Sequence, residues 1–288
     1  LIPTSDFHGS EYVGDYFKCR EYISGFTGSA GTLVITLDEA GLWTDGRYFL
    51  QAAKQLEGSG ITLRKERQPG VLTIEEYLKE TLKRGETLGF DGRCIMADAA
   101  DRLIAQLNAQ GVAVRTDVDL AGAVWKERPQ LSAEPVWPLP VEYAGESSQS
   151  KIEHIRAFLS KKKAQYFLLT SLEDIAWLLN MRGNDVESTP VILSYILLNQ
   201  EELTWYVQEK CLSEKIKILL EMQGIKIAPY AQIYEDVKKL PEGAAVYYDK
   251  SAVNTSLVSA LPEKVKKIEG VNPTFIFKAK KNPVEVEN

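Results

Sequence analysis

The chain has 288 residues, 44% of them apolar, and a formal net charge of −6. This length predicts about two domains, and the acidic balance excludes broad nucleic-acid affinity, which needs a basic face. No apolar run reaches the roughly 18 residues that a membrane span needs. Three widely separated cysteines fit reduced thiols better than a disulfide framework, so we expect a soluble cytoplasmic protein.

A glycine-rich turn followed by a hairpin organises the first half of the chain. Residues 25–31 supply the glycine-rich turn. The β-branched run 32–36, a turn at 38–41 and the segment 43–48 form the hairpin, and residues 47–56 have helical spacing. Before the turn we expect a helix over 14–22. After it we expect strands at 61–65, 87–90 and 112–115, and helices at 73–83, begun by a Thr73–Glu76 capping box, 97–110 and 119–127.

Four prolines within a dozen residues then interrupt the pattern, at Pro129, Pro135, Pro138 and Pro140. Such density excludes a central strand or helix and predicts an extended connection between domains. We therefore predict domains at 1–145 and 146–288. In the second half we expect a helix begun by a Ser150–Glu153 capping box, a hairpin over 191–207, and Pro273 opening a helix at its first position.

The two halves repeat one order of elements. The segment LGFDGRCIMADAADRLIAQL at 88–107 echoes VYYDKSAVNTSLVSAL at 246–261, so we predict two copies of one α/β domain, each a mixed β-sheet flanked by helices. The second copy begins with a helix before its first strand. We therefore expect a helix upstream of Leu1, and we expect the protein to continue beyond residue 288.

Few residues suggest chemistry of their own. His8 and His154 have no partners at metal-ligand spacing, and neither HExxH nor CxxC occurs, so we expect no metal site in this chain. Ser29 fails the G-x-S-x-G pattern and follows a helix rather than a strand, so we favour a tight turn over a nucleophile. Asp185 and Glu187 fit either a solvated loop or a carboxylate pair, and we favour the loop.

Arg47 directly follows the Asp45-Gly46 dipeptide and opens a helix. A cation is mildly unfavourable at that end of a helix, because the helix dipole is positive there. Two interpretations stay open from the residues alone: Asp45-Gly46 is simply a turn, or Arg47 points at an anionic group or a carbonyl.

Three motifs carry a resemblance to a known family. The stretch GFTGSAGT at 25–32, WTDGRYFLQA at 43–52 and DIAWLLNMRGNDV at 174–186 closely resemble the Xaa-Pro aminopeptidases, the aminopeptidase P family. The likeness covers nearly all of the chain. It implies two creatinase-like N-terminal domains of a three-domain enzyme.

The resemblance also implies which domain supplies the metal ligands and which supplies a substrate contact. The family's metal ligands, for two divalent ions that we expect to be manganese, and its catalytic histidines belong to a third domain with no counterpart here. The family's W-T-D-G-R-Y arginine is a peptide-substrate contact, and it maps onto Arg47. We therefore expect no catalytic residue and no bound cofactor in this chain. The complete protein is expected to be a homodimer acting on peptides with proline in second position.

Two alternatives remain beside this interpretation. Creatinase-like domains also occur in relatives without catalysis, as peptide- or protein-binding modules. Prolidase and creatinase are disfavoured, because their N-terminal part normally holds a single domain of this kind. The analogue of the opening stretch in the second half, near 182–207, keeps the hairpin but lacks both the glycine turn and W-T-D-G-R-Y. The first copy therefore carries something that the scaffold does not require.

Overall fold

The computed structural model describes residues 1–287 as two compact units. Unit 1 comprises residues 1–7 and 11–131, and unit 2 comprises residues 8–10 and the chain from Ser132 onward. A search of residues 1–287 for a helix with the length and hydropathy of a membrane span finds none.

Unit 1 is a mixed α/β structure, as predicted. Its strands are β1 Ile2–Pro3, β2 Thr32–Ile35, β3 Ala40–Thr44, β4 Ile61–Lys65, β5 Thr87–Gly89 and β6 Ala113–Arg115. Its helices are α1 Cys19–Ser24, α2 Phe49–Gln55, α3 Ile74–Thr81, α4 Ala97–Ala109 and α5 Leu120–Val124. The order β1-β2-β3-β4 makes a four-stranded sheet, antiparallel except for the parallel pair β3–β4, and β5 pairs in parallel with β6.

Local signals explain where several of these helices begin. The predicted capping box of α3 is present: the Thr73 hydroxyl accepts from Glu76 N at 3.2 Å, and Thr73 N donates to the Glu76 carboxylate at 2.9 Å. The predicted helix over 14–22 is wrong. A 3₁₀ turn, Asp15–Phe17, precedes α1, and Lys18 separates them with a ψ of 35°.

Unit 2 is also mixed α/β. Its strands are β7 Trp137–Pro138, β8 Tyr166–Leu169, β9 Met181–Arg182, β10 Ser194–Asn199, β11 Leu203–Val207, β12 Ile225–Pro229, β13 Ala245–Tyr248 and β14 Lys266–Glu269. Its helices are α6 Val141–Ala144, α7 Ser148–Lys162, α8 Leu172–Leu179, α9 Glu214–Met222, α10 Ile233–Asp236, α11 Thr255–Ala260, α12 Pro273–Ala279 and α13 Pro283–Glu287.

Six of these strands form one sheet in the order β12-β11-β10-β8-β13-β14. The antiparallel hairpin β10–β11 followed by the parallel strand β12 repeats the arrangement of β2, β3 and β4 in unit 1. The predicted Pro273 start of α12 is confirmed. The predicted start of α7 is wrong. Ser147 caps this helix, and the Ser150 hydroxyl donates to Glu146 at 2.6 Å instead.

Residues 132–145 pack with unit 2, whereas the predicted domain boundary lies between 145 and 146. Val136 N donates to Cys211 O at 2.9 Å, and β7 pairs antiparallel with β9. The prolines prevent long regular elements, but the N–H groups between them still bond to unit 2. The chain therefore leaves unit 1 before the proline-rich segment ends.

Unit 1 contains a cavity of about 720 Å³ beside β1, β5 and α5. In unit 2, α7 covers the corresponding position: Phe158 meets the ring of Tyr247 on β13 at 5.1 Å, and Arg156 donates to Asn199 O at the end of β10. The matching positions in unit 1, on β5 and at the β2–β3 turn, line the cavity. The helix expected upstream of Leu1 stays a prediction.

Candidate functional site

The end of β3 runs into a single tight turn that presents Arg47. Asp45 is extended, with φ −87° and ψ 174°, and its carboxylate accepts from Arg47 N at 3.0 Å, which caps the 3₁₀ turn Gly46–Tyr48. Helix α2 follows at once. The Asp45-Gly46 dipeptide is therefore a turn, and the same turn fixes the direction in which Arg47 leaves the backbone.

The guanidinium of Arg47 is paired with the Asp45 carboxylate along one edge. Nε donates to Oδ1 at 2.9 Å and Nη2 donates to Oδ2 at 2.8 Å, while the Tyr48 ring lies 5.1 Å from Cζ. The hydrogen bonds from Arg47 lower the pKa of Asp45 to about 2, and those to Asp45 raise the pKa of Arg47. Both groups are therefore ionised near neutral pH. The Arg47 side chain is 67% exposed.

The glycine-rich turn supports the aromatic ring beside Arg47. The hydroxyls of Ser29 and Tyr48 lie 2.6 Å apart, and the Phe26 ring meets the Tyr48 ring edge-on with centroids 5.9 Å apart. A Cβ at Gly28 would overlap the Phe26 ring and lie 2.8 Å from Cδ1 of Tyr48. Ser29 thus has a structural partner, and Gly28 is required by close approach rather than by an unusual backbone angle.

Arg20 holds this turn in place, although no sequence pattern predicted this role. Its side chain is buried, its two Nη atoms donate to the carbonyl oxygens of Phe26 and Gly28, and Nε donates to Thr4 Oγ1 at 3.0 Å. Burial lowers the pKa of Arg20 to about 10, so it remains charged near neutral pH. Nothing in the neighbouring residues distinguishes Arg20 from an exposed helical cation.

A second Asp-Gly-Arg tripeptide in unit 1 provides an internal comparison. Arg93 donates from its backbone N and its Nε to Asp91 Oδ1 at 3.0 and 2.9 Å, and from Nη2 to Oδ2 at 2.7 Å. However, Arg93 also donates to Asp119 and lies over the ring of Phe7, with only 33% of its side chain exposed. The tripeptide therefore builds the same fork of Arg–Asp hydrogen bonds twice, and the arginine in the fork is more exposed at Arg47.

The other sequence candidates are structural. Asp185 is buried, and its carboxylate accepts from Ser132 Oγ at 2.6 Å and from the N–H groups of Glu134 and Leu193 at 2.9 Å each. Glu187 is exposed. The two carboxylates therefore differ in environment, and the prediction of a solvated loop is wrong for Asp185.

The two histidines are not brought together. His8 is buried in unit 2 between Thr170 O at 2.9 Å and Tyr230 OH at 2.7 Å, whereas His154 is 58% exposed and faces Glu146. Among residues 1–287, no group of three or more His, Cys, Asp or Glu side chains is placed to hold a metal ion. The described residues therefore do not fit the two divalent ions that the resemblance implies, and we derive no step through them.

The cysteines are poor nucleophile candidates. Burial raises the pKa of the Cys19 thiol to about 11 and that of Cys211 to about 12, and it raises the pKa of Cys94 well above its ordinary value. A thiol acts as a nucleophile through its thiolate form, which these environments disfavour. The cavity that Cys19 and Cys94 line therefore offers no evident chemistry.

Comparison with known proteins places both units in one family. Two family models, each described as a creatinase/prolidase N-terminal domain, match residues 18–129 and 127–285. The chain is 36% identical over 301 residues to Xaa-Pro aminopeptidase 1 of Dictyostelium discoideum, covering 100% of this chain and 47% of that protein. It is 37% identical over 264 residues to Aminopeptidase P2 of Arabidopsis thaliana, covering 90% and 37%.

The chain is also similar to a solved structure. The X-prolyl aminopeptidase of Caenorhabditis elegans, described as a cytosolic enzyme with a di-nuclear active site, matches with a TM-score of 0.93 at 33% identity. The match covers 99% of this chain and 47% of that protein. The chain therefore spans less than half the length of these relatives.

Proposed function

The chain belongs to the creatinase/prolidase N-terminal domain family, and on that premise we propose that it forms the two N-terminal, non-catalytic domains of an Xaa-Pro aminopeptidase. The complete enzyme would release the N-terminal residue from peptides with proline in second position. Similarity to Xaa-Pro aminopeptidases along nearly the whole chain supports this proposal.

The open fork of Arg47 is the observation that carries the proposal. Arg47 is an exposed arginine held in one orientation by Asp45 and Tyr48, whereas Arg93, built by the same tripeptide, is occupied by a second carboxylate. A solvent-facing cation fixed in this way is suited to bind a ligand rather than to stabilise the fold. We assign Arg47 the role of orienting the peptide substrate.

The chemistry of the substrate explains why an arginine contact of this kind would be needed. The bond before proline is a tertiary amide without an N–H, so an enzyme cannot bind it through a hydrogen bond from that nitrogen. Two divalent ions can polarise a carbonyl and activate water without that handle. In our proposal they are manganese ions held by a further domain. Arg47 would then orient the peptide beyond the scissile bond, where correct placement of reactants contributes to rate.

The proposal extends to the setting of the complete enzyme. We propose a cytoplasmic homodimer that binds neither nucleic acid nor membrane. The net charge of −6 supports the absence of nucleic-acid binding, and the description of the C. elegans enzyme as cytosolic supports the cytoplasmic location.

The purified chain should not hydrolyse peptides by itself. With an Ala-Pro-Ala peptide and added Mn²⁺, we expect no release of the first residue, because the proposed metal ligands belong to another domain. The C. elegans enzyme, assayed in parallel, is the positive control. Release that scales with the concentration of the purified chain would contradict the assignment of this chain as non-catalytic.

A further inference from the structure

We propose that Asp45 is a positioning residue that orients Arg47 and cancels its charge, so that Arg47 binds a neutral peptide carbonyl rather than a carboxylate. This inference rests on the proposed role of Arg47 as a substrate contact. It narrows the substrate class to peptides recognised through their backbone, whatever the charge of their C-terminus.

The hydrogen bonds leave one defined edge of the guanidinium available. An arginine has five N–H donors, and Asp45 takes one from Nε and one from Nη2. The Nη1–Nη2 edge keeps three donors, and among residues 1–287 no side chain or carbonyl accepts from it. The guanidinium also lies over the Tyr48 ring. The protein therefore sets the direction in which the open edge points.

The charge balance around this edge favours a neutral ligand. Arg47 is already paired with one carboxylate at 2.8 Å. The Asp45–Arg47 pair has a net charge of zero, so an incoming carboxylate would be repelled by Asp45 as well as attracted by Arg47. A neutral carbonyl oxygen can accept hydrogen bonds from the Nη1–Nη2 edge without that repulsion.

The pairing follows from the Asp-Gly-Arg sequence, because Asp91 and Arg93 reproduce it within 0.1 Å for each of the three hydrogen bonds. At Arg93 a second carboxylate, that of Asp119, also accepts from Nη2 at 3.3 Å, and its charge is balanced by Arg128, which donates to the same oxygen at 2.6 Å. A guanidinium in this fork can therefore accommodate one further acceptor. At Arg47 that place is open to a ligand.

The test compares two substrates in the complete enzyme, an Ala-Pro-Ala peptide with a free C-terminus and its C-terminal amide. We expect Arg47→Ala to lower kcat/KM by the same factor for both, within about twofold, because Arg47 binds a carbonyl that both contain. Asp45→Asn keeps an oxygen for the cap but removes the charge. It should raise KM and shift the acid-to-amide ratio of kcat/KM at least roughly threefold toward the acid.

Two further variants separate charge from position. Asp45→Glu keeps the negative charge, so it should leave the acid-to-amide ratio unchanged even where it raises KM. Asp117→Asn removes the carboxylate from Arg115, an exposed pair with the same two side-chain hydrogen bonds, and should change neither parameter. In the 288-residue chain, solvent exchange of the Arg47 Nε–H, measured by NMR, should accelerate in Asp45→Asn.

Each outcome bears on a different claim. A larger Arg47→Ala penalty for the acid than for the amide would overturn the carbonyl assignment. Asp45→Asn with wild-type KM, ratio and Nε–H exchange would overturn the positioning role. Arg47→Ala without effect on either substrate would instead remove the proposed substrate contact on which this inference rests.

Discussion

Asp185→Ala is expected to destabilise unit 2 by about 2–4 kcal/mol, because it removes the acceptor of three hydrogen bonds at once. The carboxylate joins the start of the unit, at Ser132 and Glu134, to Leu193 just before β10. Leu193 is 1% exposed, so its N–H would remain buried without a partner or require an inserted water. The Glu134 N–H can return to water, because that residue is exposed. The loss of folding free energy is therefore limited, because the Glu134 N–H regains a partner in water.

Urea unfolding with hydrogen exchange resolved by peptide would measure this effect and locate it. We expect faster exchange in residues 132–136 and 185–196, with unit 1 unchanged. Glu187→Ala is the matched control, since it removes an exposed carboxylate from the same loop and should change stability by less than about 0.5 kcal/mol. If the two variants were equally stable, the Asp185 hydrogen bonds would not hold this part of unit 2 together.

Arg20→Met is expected to destabilise unit 1 by about 3 kcal/mol, since it keeps the side-chain bulk but leaves the Phe26 and Gly28 carbonyl oxygens without their donors. Phe26 is 0% exposed, so water reaches its carbonyl only if the turn opens. Arg20→Lys keeps the charge but replaces a planar fork with a point charge, and it should recover only part of the loss.

The matched control is Lys54→Met, which removes an exposed cation from α2 in the same unit. It should leave the urea midpoint nearly unchanged. Arg20→Met should also accelerate hydrogen exchange in residues 25–32 and alter the environment of Tyr48, whose ring packs against Gly28. A midpoint equal to that of Lys54→Met would show that the turn holds its shape without Arg20.

Local chemistry explains what the sequence could predict here. The Thr73–Glu76 capping box and the Pro273 start depend on residues a few positions apart, and both are present. The repeated hairpins depend on alternation within one segment and its turn. The resemblance drew attention to Arg47 because the W-T-D-G-R-Y motif is contiguous in the sequence, and the motif also contains its partner Asp45.

Contacts between distant residues explain what the sequence could not predict. From the sequence alone Asp185 is an ordinary loop carboxylate, because its donor Ser132 lies 53 residues earlier in the chain. Nothing local distinguishes Arg20 from an exposed helical cation, because its burial depends on contacts with the glycine-rich turn. The start of α7 was misplaced because Ser147 and Ser150 are both competent caps, and the Ser150 hydroxyl is taken by Glu146.

The kinetics of Arg47→Ala in the complete enzyme test the central claim most directly, because they ask whether this chain contributes to peptide hydrolysis through that residue. We predict a loss of roughly 10- to 100-fold in kcat/KM for an Xaa-Pro peptide with unchanged thermal stability. Arg115→Ala, which breaks an equally exposed Arg–Asp pair in unit 1, should retain wild-type kcat/KM. An Arg47→Ala enzyme with wild-type kcat/KM would contradict the account.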